Sequence, residues 1–158
     1  MNIREAKLDE LNKVVGITNE AFNIPYQKED FKLKYNEPPE ALIEEFKKGE
    51  TKVLVVEEDG QIIGAVRYKK ASEKFVPHDI NSVEISKLAV PFKYRNKGIG
   101  AQLMREVEKI VKNEGFDQVV LEAMLEKNLP QHYKKLGYEE YNTIKHEDHH
   151  DVSMFKRL

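Results

Sequence analysis

The sequence predicts an α/β domain in which helices flank a mixed β-sheet. Three observations support this fold class. Strand-like and helix-like segments follow one another in the order βααβββαβαββ. The dipeptide Asp59-Gly60 joins two strand-like runs and is the strongest hairpin signal in the chain. The most strongly amphipathic helix follows an apolar strand-like run, as expected for a sheet that is covered by helices.

The first half of the chain is predicted to supply two helices and three strands. They are a strand at Asn2–Ala6, a helix with the stripe Leu11, Val14, Val15, Thr18 and Phe22, a short helix between Pro38-Pro39 and Gly49, and strands at Lys52–Glu57 and Gln61–Tyr68. Proline in the first turn and glycine after the last are typical helix boundaries. The last two strands should form a hairpin, because both central positions of a type I′ turn need positive φ.

The second half is predicted to contain four strands and two helices. They are a strand at Ser82–Val90, a helix with the stripe Ile99, Leu103, Val107, Ile110 and Val111, a strand at Gln118–Met124, a short helix capped by Asn128, and strands at Tyr138–Lys145 and Val152–Leu158. Gly115 and Gly137 are natural helix ends. The continuous apolar run Leu88-Ala89-Val90 suggests burial on both faces of the sheet.

Composition limits the functions that are compatible with the chain. Its 158 residues suit one domain, over residues 1–158. The 26 basic and 28 acidic residues are well mixed, which disfavours a nucleic-acid partner. The N-terminus is charged where a signal peptide is apolar, and no apolar run approaches the roughly 20 residues of a membrane span. Without cysteine, we expect a soluble cytoplasmic protein with no membrane partner.

The segment Arg95-Asn96-Lys97-Gly98-Ile99-Gly100 is predicted to bind a diphosphate. A glycine-rich turn that enters a helix offers several converging N–H groups and the positive end of the helix dipole. Gly98 and Gly100 permit close approach of the backbone, whereas Arg95 and Lys97 add positive charge. A Rossmann fingerprint would need a third small residue, and a Walker loop would need Gly-Lys-Ser/Thr, so both fit worse.

With this turn and two further segments, the chain resembles the GNAT superfamily of N-acetyltransferases. Arg95-x-x-Gly98-x-Gly100 matches the family's Gln/Arg-x-x-Gly-x-Gly/Ala signature. Leu88-Ala89-Val90 resembles the strand end that lies along the pantetheine arm. Tyr133-Lys134-Lys135-Leu136-Gly137-Tyr138 resembles the aromatic-Tyr-x-Lys-x-Gly-Phe segment, with His132 as a departure from it. The resemblance implies a GNAT fold, with a mixed, mostly antiparallel sheet of about seven strands, about four helices and a splayed parallel strand pair.

The resemblance also implies that acetyl-CoA is the co-substrate, bound between the two splayed strands without a metal. The coenzyme-binding residues that it implies are Leu88, Ala89, Val90, Arg95, Asn96, Lys97, Gly98, Ile99, Gly100, Asn128 and Tyr133. The backbone N–H of Leu88 is a candidate for polarising the thioester carbonyl. The side chains of Leu88 and Val90 are interpreted as core residues.

Two residues are candidates for proton transfer. An alkyl ammonium has a pKa near ~10.4, so the acceptor amine needs a base. Glu84 lies eleven residues before Arg95, the spacing at which histone-acetylating relatives place their catalytic glutamate; a surface glutamate on a strand is the alternative. Tyr133 matches the tyrosine that many family members hold near the sulfur and is the candidate general acid. The alternative for Tyr133 is a core tyrosine that shares a stripe with Leu129 and Leu136.

Two segments are expected to border the acceptor amine, as they do in the GNAT superfamily. The first is Asn23 to Glu37, with Tyr26, Phe31, Tyr35 and Glu37. The second is the run His146–Asp151, where His149 or His150 could touch substrate. This run looks like a metal cluster, but its ligands are crowded into one turn and no second cluster of His or Cys completes a zinc site. We therefore expect a solvated hairpin loop and no metal.

The predicted function is an acetyl-CoA-dependent N-acetyltransferase. Its acceptor would be a primary amine of a small molecule or of a peptide or protein, acetylated by direct attack in a ternary complex. One alternative is a catalytically silent GNAT-like module that binds acyl-CoA or another protein. Another is a different nucleotide-binding α/β enzyme. Since members of the superfamily often dimerise, a homodimer is compatible with the sequence.

Overall fold

A computed structural model describes residues 1–23, 35–72 and 81–158 of the chain. Within these ranges seven strands form one sheet, in the order β1-β2-β3-β4-β5-β7-β6. The strands are β1 (Asn2–Glu5), β2 (Lys52–Glu58), β3 (Gln61–Lys70), β4 (Ser82–Ala89), β5 (Gln118–Met124), β6 (Glu139–Lys145) and β7 (His150–Arg157). Only β4 and β5 pair in parallel; the other five pairings are antiparallel. The predicted mixed sheet is therefore confirmed.

In the described part of the chain, four α-helices accompany the sheet in the predicted order. They are α1 (Leu11–Asn23), α2 (Pro39–Lys47), α3 (Ile99–Asn113) and α4 (Leu129–Lys134). Asp59 and Gly60 join β2 to β3 with φ angles of 51° and 75°, as the type I′ turn requires. Among the residues described, no helix is long and apolar enough to cross a membrane. Tyr26 and Phe31, singled out above, lie outside the described residues.

Helices α3 and α1 cover opposite faces of the sheet. The alternation within β2 shows this, because Leu54 belongs to the core under α3 and Val53 to the core under α1. Burial of an aliphatic side chain stabilises the fold by about 1.5–3 kcal/mol. On the α3 side, Gly64 of β3 allows a close approach of the helix, since a Cβ there would lie 3.0 Å from Cγ2 of Ile99. The N-terminal end of α3 is thereby fixed close to the sheet.

The parallel strands β4 and β5 separate along their length. They pair only where Ser82–Glu84 faces Gln118–Val120. Beyond this point β4 follows β3 as far as Ala89, whereas β5 follows β7 as far as Met124. The divergence opens the sheet between its two central strands. This is the splayed pair that the GNAT resemblance implies.

The apolar run at the end of β4 is less buried than its sequence suggests. Ala89 is 1% exposed, but Leu88 and Val90 are only half-buried and line a cleft. The expectation of burial on both faces is therefore wrong for these two residues. The physical reason is the divergence of the strands, which removes the neighbour that would have covered them. A continuous apolar run cannot distinguish a closed core from the wall of an apolar cleft.

Candidate active site

A cleft of about 760 Å³ lies where β4 and β5 diverge. Its walls include the end of α1, Tyr35, β4 from Glu84 onward, the glycine turn before α3, the end of β5, the first turns of α4, and His149 and Asp151 after β6. Elements from both halves of the sequence therefore meet at one opening. A cleft of this size is sufficient to enclose a small organic ligand.

A β-bulge in β4 forms one wall of the cleft. Arg67 of β3 faces Ser86, but Ala65, two residues earlier, faces Ala89, so β4 contains one extra residue at this point. Lys87 lies inside the bulge with a φ of 53°, an unusual conformation for a residue with a side chain. A bulge leaves one residue of the strand outside the hydrogen-bonded ladder. The bulge therefore makes backbone polar groups available next to Leu88, one of the predicted site residues.

The glycine turn ends at the N-terminus of α3. Gly98 has a φ of 76° and occupies the N-cap position. The N–H of Gln102 donates to the carbonyl of Gly98, so the three N–H groups before Gln102 project from the end of the helix. A Cβ on Gly100 would lie 3.5 Å from Cδ2 of Leu88. The turn thus offers a set of N–H donors to an anion. A residue larger than glycine at position 100 would narrow the space beside Leu88 where that anion would bind.

The two cations of the turn differ in placement. Nε of Arg95 donates to the carbonyl of Val90 at 3.1 Å, and its Nη2 donates to the carbonyl of Ala21 at 3.1 Å. Arg95 lines the cleft, but these bonds also tie the end of β4 to α1. Lys97 does not line the cleft; it is exposed, with Nζ 5.8 Å from the ring centre of Tyr94.

The C-terminal end of α1 faces a second cation that the sequence did not indicate. Nζ of Lys127 donates to the carbonyl of Phe22 at 2.9 Å, one residue from the carbonyl that Arg95 binds. Two positive charges thus meet the negative end of the helix dipole. Lys127 follows β5, so the pair links both sides of the cleft to α1. No local pattern in the sequence could have identified this partner, because it lies 105 residues away.

The structure brings most of the predicted site residues together. Those that line the cleft are Glu84, Leu88, Val90, Arg95, Asn96, Gly98, Ile99, Gly100, Asn128 and Tyr133. Ala89 points away into the core with 1% exposure, and Lys97 also lies outside the lining. Asn128 occupies the N-cap position of α4 with a φ of 56°, but its side chain makes no capping hydrogen bond. Its predicted role as a side-chain cap is therefore wrong.

Glu84 and Tyr133 approach the cleft from different elements. Glu84 is half-buried in β4, between Lys69 of β3 and Val120 of β5. Tyr133 is half-buried in α4, and its ring makes an edge contact with Tyr138 at 6.0 Å between centroids. Tyr133 thus packs at the edge of the core and also lines the cleft, and its role as general acid stays a prediction.

Lys87 contacts two aromatic rings at one side of the cleft. Its Nζ lies 4.7 Å from the ring centre of Tyr35 and 5.5 Å from that of Phe22. The two rings lie 4.9 Å apart. A lysine ammonium over aromatic faces is stabilised by cation–π attraction. All three residues line the cleft, and we call them the Phe22–Tyr35–Lys87 wall.

The turn between β6 and β7 and the start of β7 also contribute to the cleft, through His149 and Asp151. Burial lowers the pKa of His149, but its hydrogen bond to Asp148 and the charge of Asp151 outweigh this effect and raise the pKa above its ordinary value. His150 makes other contacts: its N–H and its ring both approach Oε1 of Glu126.

Comparison with known proteins places this architecture in a family. The family model for the acetyltransferase (GNAT) domain matches residues 14–157. A comparison with curated protein sequences gave no significant match. Similar solved structures include a ribosomal-protein-alanine N-acetyltransferase from Brucella melitensis, with 22% identity, a TM-score of 0.76 and 100% of both chains covered.

Two further structures similar to this chain were solved with coenzyme A. The PaiA N-acetyltransferase from Thermoplasma acidophilum has 21% identity and a TM-score of 0.77, with 99% of this chain and 98% of that chain covered. An aminoglycoside 6′-N-acetyltransferase has 18% identity and a TM-score of 0.73, with 99% and 97% covered. At these identities the likeness shows the fold, and the family model adds the sequence match. The chain belongs to the GNAT acetyltransferase family.

Proposed function

We propose that this chain transfers the acetyl group of acetyl-CoA to a primary amine by direct attack in a ternary complex. The observation that carries the proposal is the meeting of the β4 bulge and the glycine turn at one cleft. The bulge supplies backbone polar groups beside Leu88. The glycine turn supplies the N–H donors of the first turn of α3. We propose in addition that residues 1–158 act as a single domain.

The chemistry of this wall fits a thioester with a diphosphate arm. Acetyl-CoA would supply an activated acetyl group. The N–H groups of Ile99, Gly100 and Ala101 would hold the diphosphate, since they project from the helix end without intrahelical partners. The half-buried side chains of Leu88 and Val90 would contact the arm through apolar surface, and the backbone N–H of Leu88 would polarise the thioester carbonyl.

Glu84 and Tyr133 would move the protons. A primary ammonium must lose a proton before it can attack, and Glu84, on the half-buried face of β4, would accept it directly or through water. The hydroxyl of Tyr133 would donate a proton to the departing sulfur. The support for both roles is their placement on two walls of the same cleft.

The acceptor would enter past the Phe22–Tyr35–Lys87 wall. Glu84 and Glu122 line the cleft, and their carboxylates would attract a cationic amine. The similar solved structures are named for acceptors as different as aminoglycosides and a ribosomal protein's alanine. A panel of acceptors should therefore contain small polyamines, aminoglycosides, amino acids and peptide N-termini.

Binding of acetyl-CoA is the first test. Isothermal titration should show binding at micromolar concentration, and Gly100→Val should abolish it by narrowing the space beside Leu88. The matched control is Gly16→Val in α1, where an added Cβ would meet nothing within 4 Å. No binding by the unmodified chain would overturn the proposal, and binding of NAD or ATP instead would favour a different nucleotide-binding enzyme.

Turnover is the second test. Release of free coenzyme A thiol should rise when one class of amine from the panel is added. Retained acetyl-CoA binding with no acetylation of any amine would instead favour the silent acyl-CoA-binding module.

A further inference from the structure

Three side chains, two from the turn between β6 and β7 and one from the start of β7, converge on one point. Nε2 of His146 lies 3.0 Å from Oδ2 of Asp151, and Nε2 of His149 lies 3.3 Å from the same oxygen. One donor atom from each residue lies within 4.8 Å of the other two. The two imidazole rings are nearly parallel, with their centres 4.5 Å apart. We call these residues the His146–His149–Asp151 cluster.

The donor spacing approaches that of a tetrahedral metal site. Zinc binds imidazole nitrogen at about 2.0–2.1 Å and carboxylate oxygen at about 2.0–2.2 Å. At tetrahedral angles two such donors are separated by roughly 3.3 Å. The two nitrogen-to-oxygen distances in the cluster are 3.0 and 3.3 Å. The three donor atoms lie within 4.8 Å of one another, and rotation of the His146 side chain, which is 42% exposed, would bring all three to one ion.

The backbone of the hairpin holds the three residues in place. Asp151 belongs to β7, where it is paired with Met124 on one side and Ile144 on the other. The N–H of His146 donates to the carbonyl of His149 at 2.8 Å and closes the turn. The side chains of His149 and Asp151 are 17% and 18% exposed. Two of the three ligands are thus positioned before any ion arrives.

A second carboxylate orients His149 from behind. Oδ1 of Asp148 lies 2.6 Å from Nδ1 of His149. In the neutral tautomer in which Nδ1 donates to this oxygen, Nε2 carries the lone pair and can bind an ion beside Asp151. Metal-binding histidines typically have such a carboxylate partner on the other ring nitrogen.

We infer that the His146–His149–Asp151 cluster is a binding site for a divalent transition-metal ion of the zinc type. Two imidazoles and one carboxylate match the preference of zinc and its neighbours and do not suit magnesium or calcium, which take oxygen ligands. Three protein ligands leave a fourth position open. Since His149 and Asp151 line the cleft, an ion there lies beside it. This inference departs from the expectation of no metal, which rested on the crowding of the ligands in sequence.

The test is titration of the tag-free full chain with Co²⁺, followed by visible absorption, and with Zn²⁺, followed by calorimetry. One equivalent should bind, and the cobalt spectrum should have the intensity of a four-coordinate site. His149→Gln should abolish both signals. His150→Gln is the matched control, since His150 lies in the same tract but contacts Glu126 instead; it should bind one equivalent normally.

Two further variants make the test specific to this geometry. Asp148→Asn keeps all three ligands and should weaken Zn²⁺ binding by about tenfold, through loss of the carboxylate behind His149. Asp151→Asn should weaken binding more strongly than Asp148→Asn. Absence of saturable binding to the unmodified chain, or equal loss in His149→Gln and His150→Gln, would overturn the inference. The inference does not depend on acetyl transfer, and its readout is metal binding alone.

Discussion

Asn23 and Tyr35 are joined by two hydrogen bonds that copy the pairing of neighbouring strands. Nδ2 of Asn23 donates to the carbonyl of Tyr35 at 2.6 Å, and the N–H of Tyr35 donates to Oδ1 of Asn23 at 2.7 Å. One turn earlier in α1, Asn19 binds the backbone of Glu37 in the same way, at 3.1 and 2.9 Å. An asparagine amide has the donor and the acceptor that this needs. The two residues hold the chain at 35–37 along α1, with the Tyr35 ring beside Phe22.

Loss of one of these amides should affect the acceptor more than the coenzyme. We expect Asn23→Ala to raise KM for the acceptor about fivefold. The substitution removes two exposed hydrogen bonds, which together stabilise the position of Tyr35 by about 1 kcal/mol. The affinity for acetyl-CoA, measured by calorimetry, should stay unchanged. Asn113→Ala, at an exposed position in the last turn of α3, serves as the control. An equal effect on KM and on acetyl-CoA affinity would contradict a local role.

Removal of one hydroxyl should separate chemistry from binding. We expect Tyr133→Phe to lower kcat by about 10²–10⁴-fold, the usual contribution of a positioned general acid, and to leave acetyl-CoA binding intact. The control is Tyr138→Phe, whose ring contacts Tyr133 but whose hydroxyl lies 3.4 Å from Oε1 of Glu108 in the core. It should cost stability and keep kcat. Equal kcat values for Tyr133→Phe and the unmodified chain would remove Tyr133 from the mechanism.

The element order could be predicted from sequence because each signal for it is local. An apolar stripe such as that of Leu103 and Val107 lies within one helix. The dipeptide Asp59-Gly60 favours its turn without contacts from residues distant in sequence. The glycine turn is local as well, because Gly98, Gly100 and the strand before them are neighbours in sequence. Such patterns describe what a segment can form by itself. They carry no information about which segments will meet.

The contacts that the sequence did not indicate all depend on strand register or on distant segments. Lys87 meets Phe22 only because an extra residue in β4 turns its side chain toward α1. Arg95 and Lys127 both bind the end of α1, which is far from each of them in sequence. The bulge has no sequence signature of its own here, since its residue of positive φ is a lysine rather than a glycine.

The hydrogen bonds of Arg95 predict that the shape of its guanidinium group matters more for the stability of the fold than its positive charge does. One planar guanidinium reaches two carbonyls, on Val90 and Ala21, which a lysine ammonium cannot span in the same way. We expect Arg95→Lys and Arg95→Gln to lower the free energy of unfolding by a similar amount, about 2 kcal/mol. Lys97→Gln, at an exposed site, should stay within about 0.5 kcal/mol of the unmodified chain. Urea unfolding measures the stability of all three variants. If Arg95→Lys were as stable as the unmodified chain, the two hydrogen bonds of the guanidinium group would not be what stabilises this site.

A partly buried ion pair near the C-terminus, with the Lys156 side chain 31% exposed, should be sensitive to the loss of one partner. Nζ of Lys156 donates to both oxygens of Glu108, at 2.8 and 3.2 Å, and to the carbonyl of Leu136 at 2.9 Å. Burial, and then the charge of Glu108, raise the pKa of Tyr138 well above its ordinary value. We expect Glu108→Gln to cost about 1–2 kcal/mol in urea unfolding, since it leaves the ammonium without its counter-charge at a site where solvent screens part of the loss.

The double variant Glu108→Leu with Lys156→Leu tests the reason for this loss. It removes both charges together, so no unpaired charge remains at this site, and it should be more stable than Glu108→Gln. Additive losses from the two sites would instead indicate that packing, rather than charge, determines the effect.

Glu10 should make the stability of the fold depend on acid pH. Arg4 donates to both of its oxygens, at 2.9 and 2.7 Å, and this hydrogen-bonded pairing lowers the pKa of Glu10 from 4.5 to about 2. Between these values the unfolded chain takes up a proton that the folded chain does not, so stability is lost as the pH falls through this range. Because both side chains are about one-fifth exposed, solvent screening limits the effect to about 1 kcal/mol.

The variant Glu10→Gln isolates this contribution. We expect it to be less stable than the unmodified chain by a constant amount at pH values well above 4.5, where Glu10 is charged in both states. Below that the difference should shrink, and it should be nearly gone near pH 2, where the carboxyl is protonated in the unfolded chain and half protonated in the folded one. Denaturant unfolding of the two chains across this range measures the difference. If the gap kept its full size at the acid end, the stabilisation would have to come from the shape of the Glu10 side chain rather than from its charge.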